Sequence, residues 1–276
     1  MKHFFIFAAA AALLLVSCKS DEPQEPQSVT FRVSNFSYAQ EPLNGPVKAP
    51  AALIDDDSQA LTDLYLFDGT TQLAHQESSE ENFGTITVSL LAGEHNLHFV
   101  ATRSTSLSYA DGVLSCASLR PTFGKHLTLN VSGSSTNNIE LTRINGQVVI
   151  TIEDAIPAEA KTLRIQMARY PMGLDIATFN GIGTNAFDQT VDISSKAGVT
   201  GANWKLNVLS PTYSENYETT YTITALNSGN TVIGQATGTL PIHSNTKTLL
   251  HGNLFTGTKA VFSISTAWHA DINVDM

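Results

Sequence analysis

Charged side chains are scarce in this sequence of 276 residues. Asp, Glu, Lys and Arg make up 14% of it, and 25 acidic against 15 basic residues give a formal net charge of −10. Because the chain has no excess of basic residues to form a positive stripe along a phosphate backbone, nucleic acid is not an expected partner. The hydrophobic fraction of 42% still provides enough apolar surface for an ordinary folded core.

Cysteine is also rare, with only Cys18 and Cys116 in the chain. If Cys18 is consumed by lipid modification, Cys116 has no partner within the chain and no structural disulfide can form. A single remaining cysteine is usually a small, buried apolar residue. The surrounding stretch "GVLSCASLRP" contains no histidine to activate a thiol, so we do not expect Cys116 to be a nucleophile.

Long apolar runs are missing except for one near the N-terminus. It covers residues 4–16 and is shorter than the roughly 20 residues of a membrane-spanning helix. Its length, and the Lys2-His3 pair before it, are typical of a signal peptide. The run ends in Leu-Val-Ser-Cys18, which resembles the bacterial lipobox, in which the cysteine is acylated and becomes the new N-terminus. An ordinary secretory cleavage site is the alternative, but the A-x-A-like ending is missing. We therefore predict a signal peptide over 1–17 and lipidation at Cys18.

The segment after Cys18 is acidic and rich in proline and glutamine. Lys19 precedes a Ser-Asp-Glu cluster, an arrangement that resembles the surface-export signal of Bacteroidetes lipoproteins. The "PQEPQ" stretch that follows is expected to be semi-extended. Several acyl chains hold a protein stably on a membrane. We therefore expect residues 18–27 to be a lipidated tether at the cell outer membrane, with the folded part exposed at the surface.

Apolar and polar residues alternate along most of the chain from Val29 onward. The pattern is clear in "VTFRV", "TITVSL", "NLHFVA" and "HLTLNV", and turn-forming clusters such as "FDGTT" and "LNSGN" separate such stretches. Strict alternation predicts half-buried antiparallel strands. The best helical candidate is a short one at 157–161, where Pro157 suits a first helical position. The sequence thus predicts an all-β protein of antiparallel β-sandwiches.

The number of predicted strands, about eleven to fourteen, is too large for one small sandwich. A loose polar stretch, "VSGSSTNN", lies near the middle, and a strong apolar strand, "GQVVITI", restarts the pattern after it. We place a domain boundary near residue 142. The predicted domains cover 28–142 and 143–276, and both have ordinary domain lengths.

Catalytic and cofactor-binding motifs are not recognisable. The stretch "GIGTNA" has the spacing of a dinucleotide-binding turn, but "FDQTVDIS" after it reads as a strand rather than the required helix, so a hairpin turn is favoured. His95 and His98 are three residues apart on a predicted strand and point to opposite faces, so they cannot share a metal. We expect no metal, no cofactor and no enzyme, but a binding or assembly protein.

Two longer passages resemble the Bacteroidetes fimbrillin-associated anchor lipoproteins, the FimB-type fimbrial anchor and accessory subunits. One is "ALTDLYLFDGTTQLAHQ" with "TITVSLLAGEHNLHFVA", and the other runs from "TLPIHSNTKTLLHGNLFTG" to the late tryptophan of "AVFSISTAWHADINVDM". The stretch "RINGQVVITIEDAIP", which opens the second half, also resembles this family. This resemblance implies two tandem transthyretin-like β-sandwich domains in a fimbrial anchor. Its partners would be fimbrial subunits, bound by β-strand complementation.

One departure from the wider fimbrillin group bears on processing. Shaft fimbrillins are cleaved after an arginine in a loop behind the N-terminal strand, which releases that strand and the lipid. Here Arg32 lies inside the first predicted strand, and residues 35–64 contain Lys48 but no arginine. This favours a retained anchor over a processed shaft or tip subunit, which is the alternative.

A second alternative is a surface lipoprotein that binds glycans. Tyr213, Tyr217 and Tyr221 recur every four residues in "PTYSENYETTYT", which would place them on one face of a strand. Sugar rings stack on aromatic side chains, so Tyr213 and Tyr217 are the candidate ligand-binding residues. Cross-strand packing is the other explanation for the same spacing.

Overall fold

The computed structural model describes residues 25–34, 53, 59–215, 217–256 and 261–268, in which almost all regular structure is β. One short 3-10 helix covers Ser194–Lys196. The strands are β1 (Gln27–Ser34), β2 (Asp63–Asp68), β3 (Thr71–Glu77), β4 (Thr85–Leu90), β5 (Gly93–Thr102), β6 (Ser108–Ala110), β7 (Val113–Ser115), β8 (Thr122–Val131), β9 (Ser135–Glu140), β10 (Thr142–Arg143), β11 (Gly146–Ile152), β12 (Ala160–Met167), β13 (Gly173–Asp175), β14 (Gly181–Ile182), β15 (Phe187–Asp192), β16 (Ala202–Val208), β17 (Tyr217–Asn227), β18 (Val232–Ile242), β19 (Thr246–Asn253) and β20 (Val261–Trp268).

The all-β prediction is confirmed, and the described residues contain no α-helix. The helical candidate at 157–161 is wrong. The backbone N–H of Ala160 donates to the carbonyl of Pro157 at 3.0 Å, which closes a single turn. Strand β12 then begins at Ala160, which is 2% exposed. Pairing of β12 with its neighbours outweighs the weak local preference for helix.

Two sheets face each other in the first half of the chain. Their strand orders are β4-β1-β9 and β10-β8-β5-β2-β3. Phe31 of β1 meets Phe99 of β5 edge to face, with ring centroids 5.1 Å apart. The alternating apolar residues of both sheets form a buried cluster drawn entirely from residues 29–141. This is the inward-facing arrangement that period-two patterning produces in a sandwich.

A corresponding pair of sheets forms the second half. The strand orders are β16-β11-β19-β20 and β15-β12-β17-β18. Ile150 of β11, Leu163 of β12 and Ile223 of β17 are buried in one apolar cluster. No helix of the described residues is long and apolar enough to cross a membrane.

The first strand of each half occupies the same kind of position. β1 pairs antiparallel with β4 and parallel with β9, and β11 pairs antiparallel with β16 and parallel with β19. The sequence predicted antiparallel strands only. Alternation gives the face of each side chain but not the direction of the neighbouring strand, and parallel neighbours need a long crossover that local pattern cannot reveal.

A small fifth sheet joins the halves. Its order is β14-β13-β7-β6, and β7 from the first half pairs antiparallel with β13 from the second, with Leu114 opposite Leu174. The larger apolar cluster also includes Tyr65 and Phe67 of β2. The domain boundary near residue 142 stays a prediction.

Candidate functional site

The strand that follows the predicted tether is built into the core. β1 starts at Gln27, and its inward residues Val29, Phe31 and Val33 are 0%, 0% and 1% exposed. Arg32 lies on the outer face and is exposed. Cys18, the predicted lipidation site, lies outside the described residues. A pull on the tether would therefore act directly on a buried central strand.

Hydrogen bonds hold β1 along both edges. Residues Gln27–Arg32 pair with β4, and residues Val29–Ser34 pair with β9. Beyond the ladders, Val33 N–H donates to the Gly84 carbonyl at 2.8 Å, and Leu141 N–H donates to the Ser34 carbonyl at 2.7 Å. Without β1, two neighbouring strands would each present an unpaired edge to one slot. Such a slot is what strand complementation fills.

The last described strand has a different environment. β20 pairs with β19 over Thr246–Asn253 and, among the described residues, has no strand on its other side. An outer strand offers a row of unpaired backbone donors and acceptors to an added strand. Among the described residues, β20 is one of several outer strands at which a strand could be added, whereas the position of β1 between β4 and β9 is already filled.

Tyr213 does not lie where its spacing predicted. β17 begins at Tyr217, so Tyr213 lies in the preceding turn and not on the strand face. There its N–H donates to the side-chain oxygen of Asn180 at 2.7 Å, and its ring meets Phe179 edge to face at 5.7 Å. Tyr221 is only 6% exposed. A platform of three tyrosines on one strand is therefore wrong, because a hydrogen-bonded turn rather than a longer β17 holds Tyr213.

Tyr217 remains accessible in part. It is half-buried at the start of β17, and the guanidinium of Arg169 lies 5.5 Å from its ring centroid. A cation over an aromatic face stabilises the ring in place. Glycan binding by Tyr213 and Tyr217 stays a prediction.

Sequence reasoning missed a contact between two histidines on neighbouring strands. His98 of β5 lies directly opposite His126 of β8, and their Nδ1 atoms are 2.5 Å apart. His98 is 8% exposed, and burial lowers its pKa. His126 is exposed in part, and partial desolvation, followed by the neighbouring His98, lowers its pKa to about 4. Residues 28 positions apart become neighbours only through strand register, so no local signal could have found this pair.

His95 is engaged elsewhere. Its Nδ1 lies 2.6 Å from the Asp68 carboxylate, and its Nε2 lies 2.9 Å from the Leu91 carbonyl oxygen. The hydrogen bond with Asp68, followed by the one with Leu91, raises the pKa of His95. His95 and His98 thus have separate partners. Within the described part of the chain, no group of three or more His, Cys, Asp or Glu side chains could hold a metal ion.

Cys116 lies in a half-buried position. Its thiol is 3.6 Å from the Met172 carbonyl oxygen, to which it donates. Burial raises the pKa of Cys116 to about 11. Because the thiolate is the reactive form, this environment does not activate the thiol.

The "GIGTNA" stretch is followed by a strand, as its flanking residues indicated, but the hairpin turn is wrong, because β14 pairs with β13 and β15 pairs with β12 in another sheet. Gly181–Ile182 is strand β14, and the next element is strand β15 rather than a helix. Gly181 is tightly enclosed, since a Cβ atom there would lie 2.9 Å from the Ser210 carbonyl oxygen. Without a helix N-terminus, the turn lacks the oriented amides of a pyrophosphate site.

Comparison with known proteins gives structural matches only. A candidate adhesin from Bacteroides ovatus matches with a TM-score of 0.51 and 8% identity, over 86% of this chain and 88% of that chain. A candidate adhesin from Bacteroides thetaiotaomicron matches with a TM-score of 0.49 and 11% identity, over 90% and 99%. The fimbrial anchor protein Mfa2 from Porphyromonas gingivalis matches with a TM-score of 0.48 and 10% identity, over 87% and 97%.

No family model matches this chain, and no curated protein matches it. Identities this low establish a shared fold and nothing finer. The chain has the fold of the Bacteroides ovatus candidate adhesin.

Proposed function

We propose that this chain is a non-catalytic surface lipoprotein that anchors a fimbrium to the outer membrane through acyl chains on Cys18. The observation that carries the proposal is the position of β1. The strand entered directly by the tether is hydrogen-bonded on both edges and buries Val29, Phe31 and Val33. The fold shared with a candidate adhesin and the lipobox-like sequence support the same role.

Retention of β1 distinguishes an anchor from a processed shaft or tip subunit. Arg32 lies in the middle of a paired strand, where a protease could reach its backbone only after the strand detached. Residues 35–64 contain Lys48 but no arginine. The anchor therefore keeps its own strand in the slot and cannot receive one there.

The contact with fimbrial subunits is proposed to form by strand addition at an outer edge. We take β20, one of the two outer strands of the sheet β16-β11-β19-β20 among the described residues, as the candidate edge. An extended segment from a neighbouring subunit would gain backbone hydrogen bonds along it. Because β1 fills its own slot, the first half has no place there for a donated strand, and a fimbrial subunit would have to add its strand at an outer edge.

Intact-mass analysis of protein extracted from the native membrane tests the anchor. We expect a species that begins at Cys18, carries acyl chains and retains residues 19–60, and we expect Cys18→Ala to abolish both the lipid and membrane retention. A lipid-free species that begins beyond β1 would instead identify a shaft or tip subunit.

Affinity capture of the lipidated protein from the cell surface tests the partner. Fimbrial subunits should be recovered with wild-type protein and lost with Ser263→Pro or Ile264→Pro, whichever leaves far-UV circular dichroism unchanged, because only one of two adjacent residues points its N–H away from β19. Capture of no fimbrial polymer would contradict the proposal.

A glycan array tests the alternative ligand. The double variant Tyr213→Ala/Tyr217→Ala and the wild type are compared on the same surface polysaccharides. Binding by the wild type that is lost in the variant would support a glycan-binding lipoprotein, and no binding by either would remove this alternative.

A further inference from the structure

One of the contacts between the two halves of the chain is made by the side chain of Phe179. Phe179 belongs to the turn after β13, is 2% exposed and has a positive φ of 59°. Its ring stacks on His126 of β8, with centroids 3.7 Å apart and an angle of 24° between the planes. Gly124 leaves room for the ring, since a Cβ atom there would lie 2.7 Å from Phe179 Cζ. The second half thus inserts a ring into a recess in the first.

The turn that presents Phe179 is fixed from both sides. The Asp175 carboxylate accepts hydrogen bonds from the Thr178 N–H and hydroxyl, both at 2.8 Å, and Phe179 N–H donates to the Asp175 carbonyl at 2.8 Å. Ile176 N–H donates to the Gly112 carbonyl of the first half at 2.9 Å. These contacts hold a bulky residue in the left-handed backbone region, which is strained for a side chain of this size.

Under Phe179 lies the histidine pair. The rings of His98 and His126 are nearly perpendicular, with centroids 4.6 Å apart and Nδ1 atoms 2.5 Å apart. At this distance one proton can be shared between the two nitrogens. A second proton would place two positive charges in direct contact, so the rings would have to separate.

We propose that His98, His126 and Phe179 form an acid-sensitive joint between the two halves of the molecule. Uptake of a second proton pushes His126 away from His98 and disturbs the surface on which Phe179 stacks. The turn after β13 then loses its stacking contact with His126 on β8. The halves loosen at this joint while the two sandwiches stay folded.

Charged groups near the two histidines also influence how readily each of them is protonated. Asp68 and Asp175 both favour protonation of His98, and Asp175 favours that of His126. Burial of His98 outweighs them and lowers its pKa, and partial desolvation together with the neighbouring His98 lowers that of the more exposed His126 to about 4. A histidine whose pKa is lowered on folding stabilises the closed form above its ordinary value of about 6.5 and loses this effect as the pH falls. The joint is therefore closed at neutral pH and weakened under acid conditions.

Hydrogen–deuterium exchange of the full chain tests the joint. After correction for the intrinsic pH dependence of exchange, we expect residues 173–182 to exchange about tenfold faster at pH ~4.5 than at pH ~7. His126→Phe keeps a ring against Phe179 but cannot take up a proton, so it should abolish the acceleration. His75→Gln changes another histidine of the same sheet and should behave like wild type.

Two results would overturn the proposal. One is equal protection of residues 173–182 at both pH values in the wild type, and the other is an acceleration in His126→Phe as large as in the wild type. If His126→Phe does not fold, an NMR titration of the His126 ring in the wild-type protein tests the acid-sensitive joint instead. Titration well below pH ~6, together with changes in the Phe179 ring signals, supports the joint, and titration near pH ~6.5 excludes it.

Discussion

At the residue scale, one carboxylate organises the segment that follows β19. The oxygens of Asp154 accept hydrogen bonds from the backbone N–H groups of Leu254, Phe255 and Thr256 at 3.0, 2.7 and 2.7 Å. We expect Asp154→Ala to lower the free energy of unfolding by about 2–3 kcal/mol, because three N–H groups lose their acceptor at a largely buried site. Urea denaturation measures the change.

Asp188→Ala is the matched control, since its exposed carboxylate pairs with the exposed guanidinium of Arg164. Ion pairs at the surface contribute little. An equal loss of stability in the two variants would contradict the structural role of Asp154.

Asp154 should also make the free energy of unfolding depend on pH in the acid range. Burial would raise the pKa of Asp154, but the hydrogen bonds from the three backbone N–H groups outweigh it and the pKa is lowered. Its stabilisation is therefore present above the ordinary value of about 3.8 and lost as the pH falls through the lower value of the folded state. Asp154→Asn should show a flatter dependence of unfolding free energy on pH between about 5 and 2 than the wild type. Identical slopes would refute this.

His95 should make the free energy of unfolding depend on pH with the opposite sign. Its hydrogen bond to Asp68 raises its pKa, so its stabilisation is present below about 6.5 and lost as the pH rises through the higher value of the folded state. His95→Gln should remove this loss, measured as unfolding free energy between pH ~5.5 and ~8.5. An NMR titration in which His95 has an ordinary pKa would contradict it.

At the element scale, the inward face of β1 is expected to be far more sensitive to substitution than its outer face. Phe31→Ala should cost about 3–5 kcal/mol, because a fully buried ring that contacts Phe99 leaves a cavity. Arg32→Ala, on the outer face of the same strand, should change the unfolding free energy by less than about 0.5 kcal/mol. Chemical denaturation of both variants tests this, and a small effect of Phe31→Ala would show that β1 is not part of the stable core.

The alternation of apolar residues predicted individual strands well, and "TITVSL" coincides with β4 at Thr85–Leu90. It could not predict which strands become neighbours. The parallel pairing of β1 with β9 and the contact of His98 with His126 both depend on crossover and register, which arise from tertiary packing. Tyr213 was misplaced for a related reason, since a periodic spacing does not show where a strand begins.

At the scale of the whole molecule, the halves are expected to unfold together. Pairing of β7 with β13 and the apolar cluster that spans both halves couple their stabilities. Trp204 and Trp268 both lie in the second half, so tryptophan fluorescence reports on that half, whereas far-UV circular dichroism reports on the entire chain. The two probes should give coincident urea transitions. A biphasic circular dichroism curve with fluorescence in one phase only would show independent domains.

The sheet that joins the halves was beyond sequence analysis. β7 covers Val113–Ser115 and β13 covers Gly173–Asp175, each too short for an alternating pattern to be recognised. The position of Phe179 could not be predicted either, because a phenylalanine with a positive φ has no local sequence signal. The class of fold and the core faces could be predicted, whereas the contacts between the halves could not.

The central position of β1 has a mechanical consequence. If the tether is held at the membrane and the rest of the molecule is pulled away, the force acts along the axis of β1 from Gln27. β4 and β9 flank that strand, so the load is applied in shear to two ladders at once. Their hydrogen bonds must stretch together instead of opening one after another as in a zipper. The strand that enters the core from the tether is thus also well placed to withstand tension.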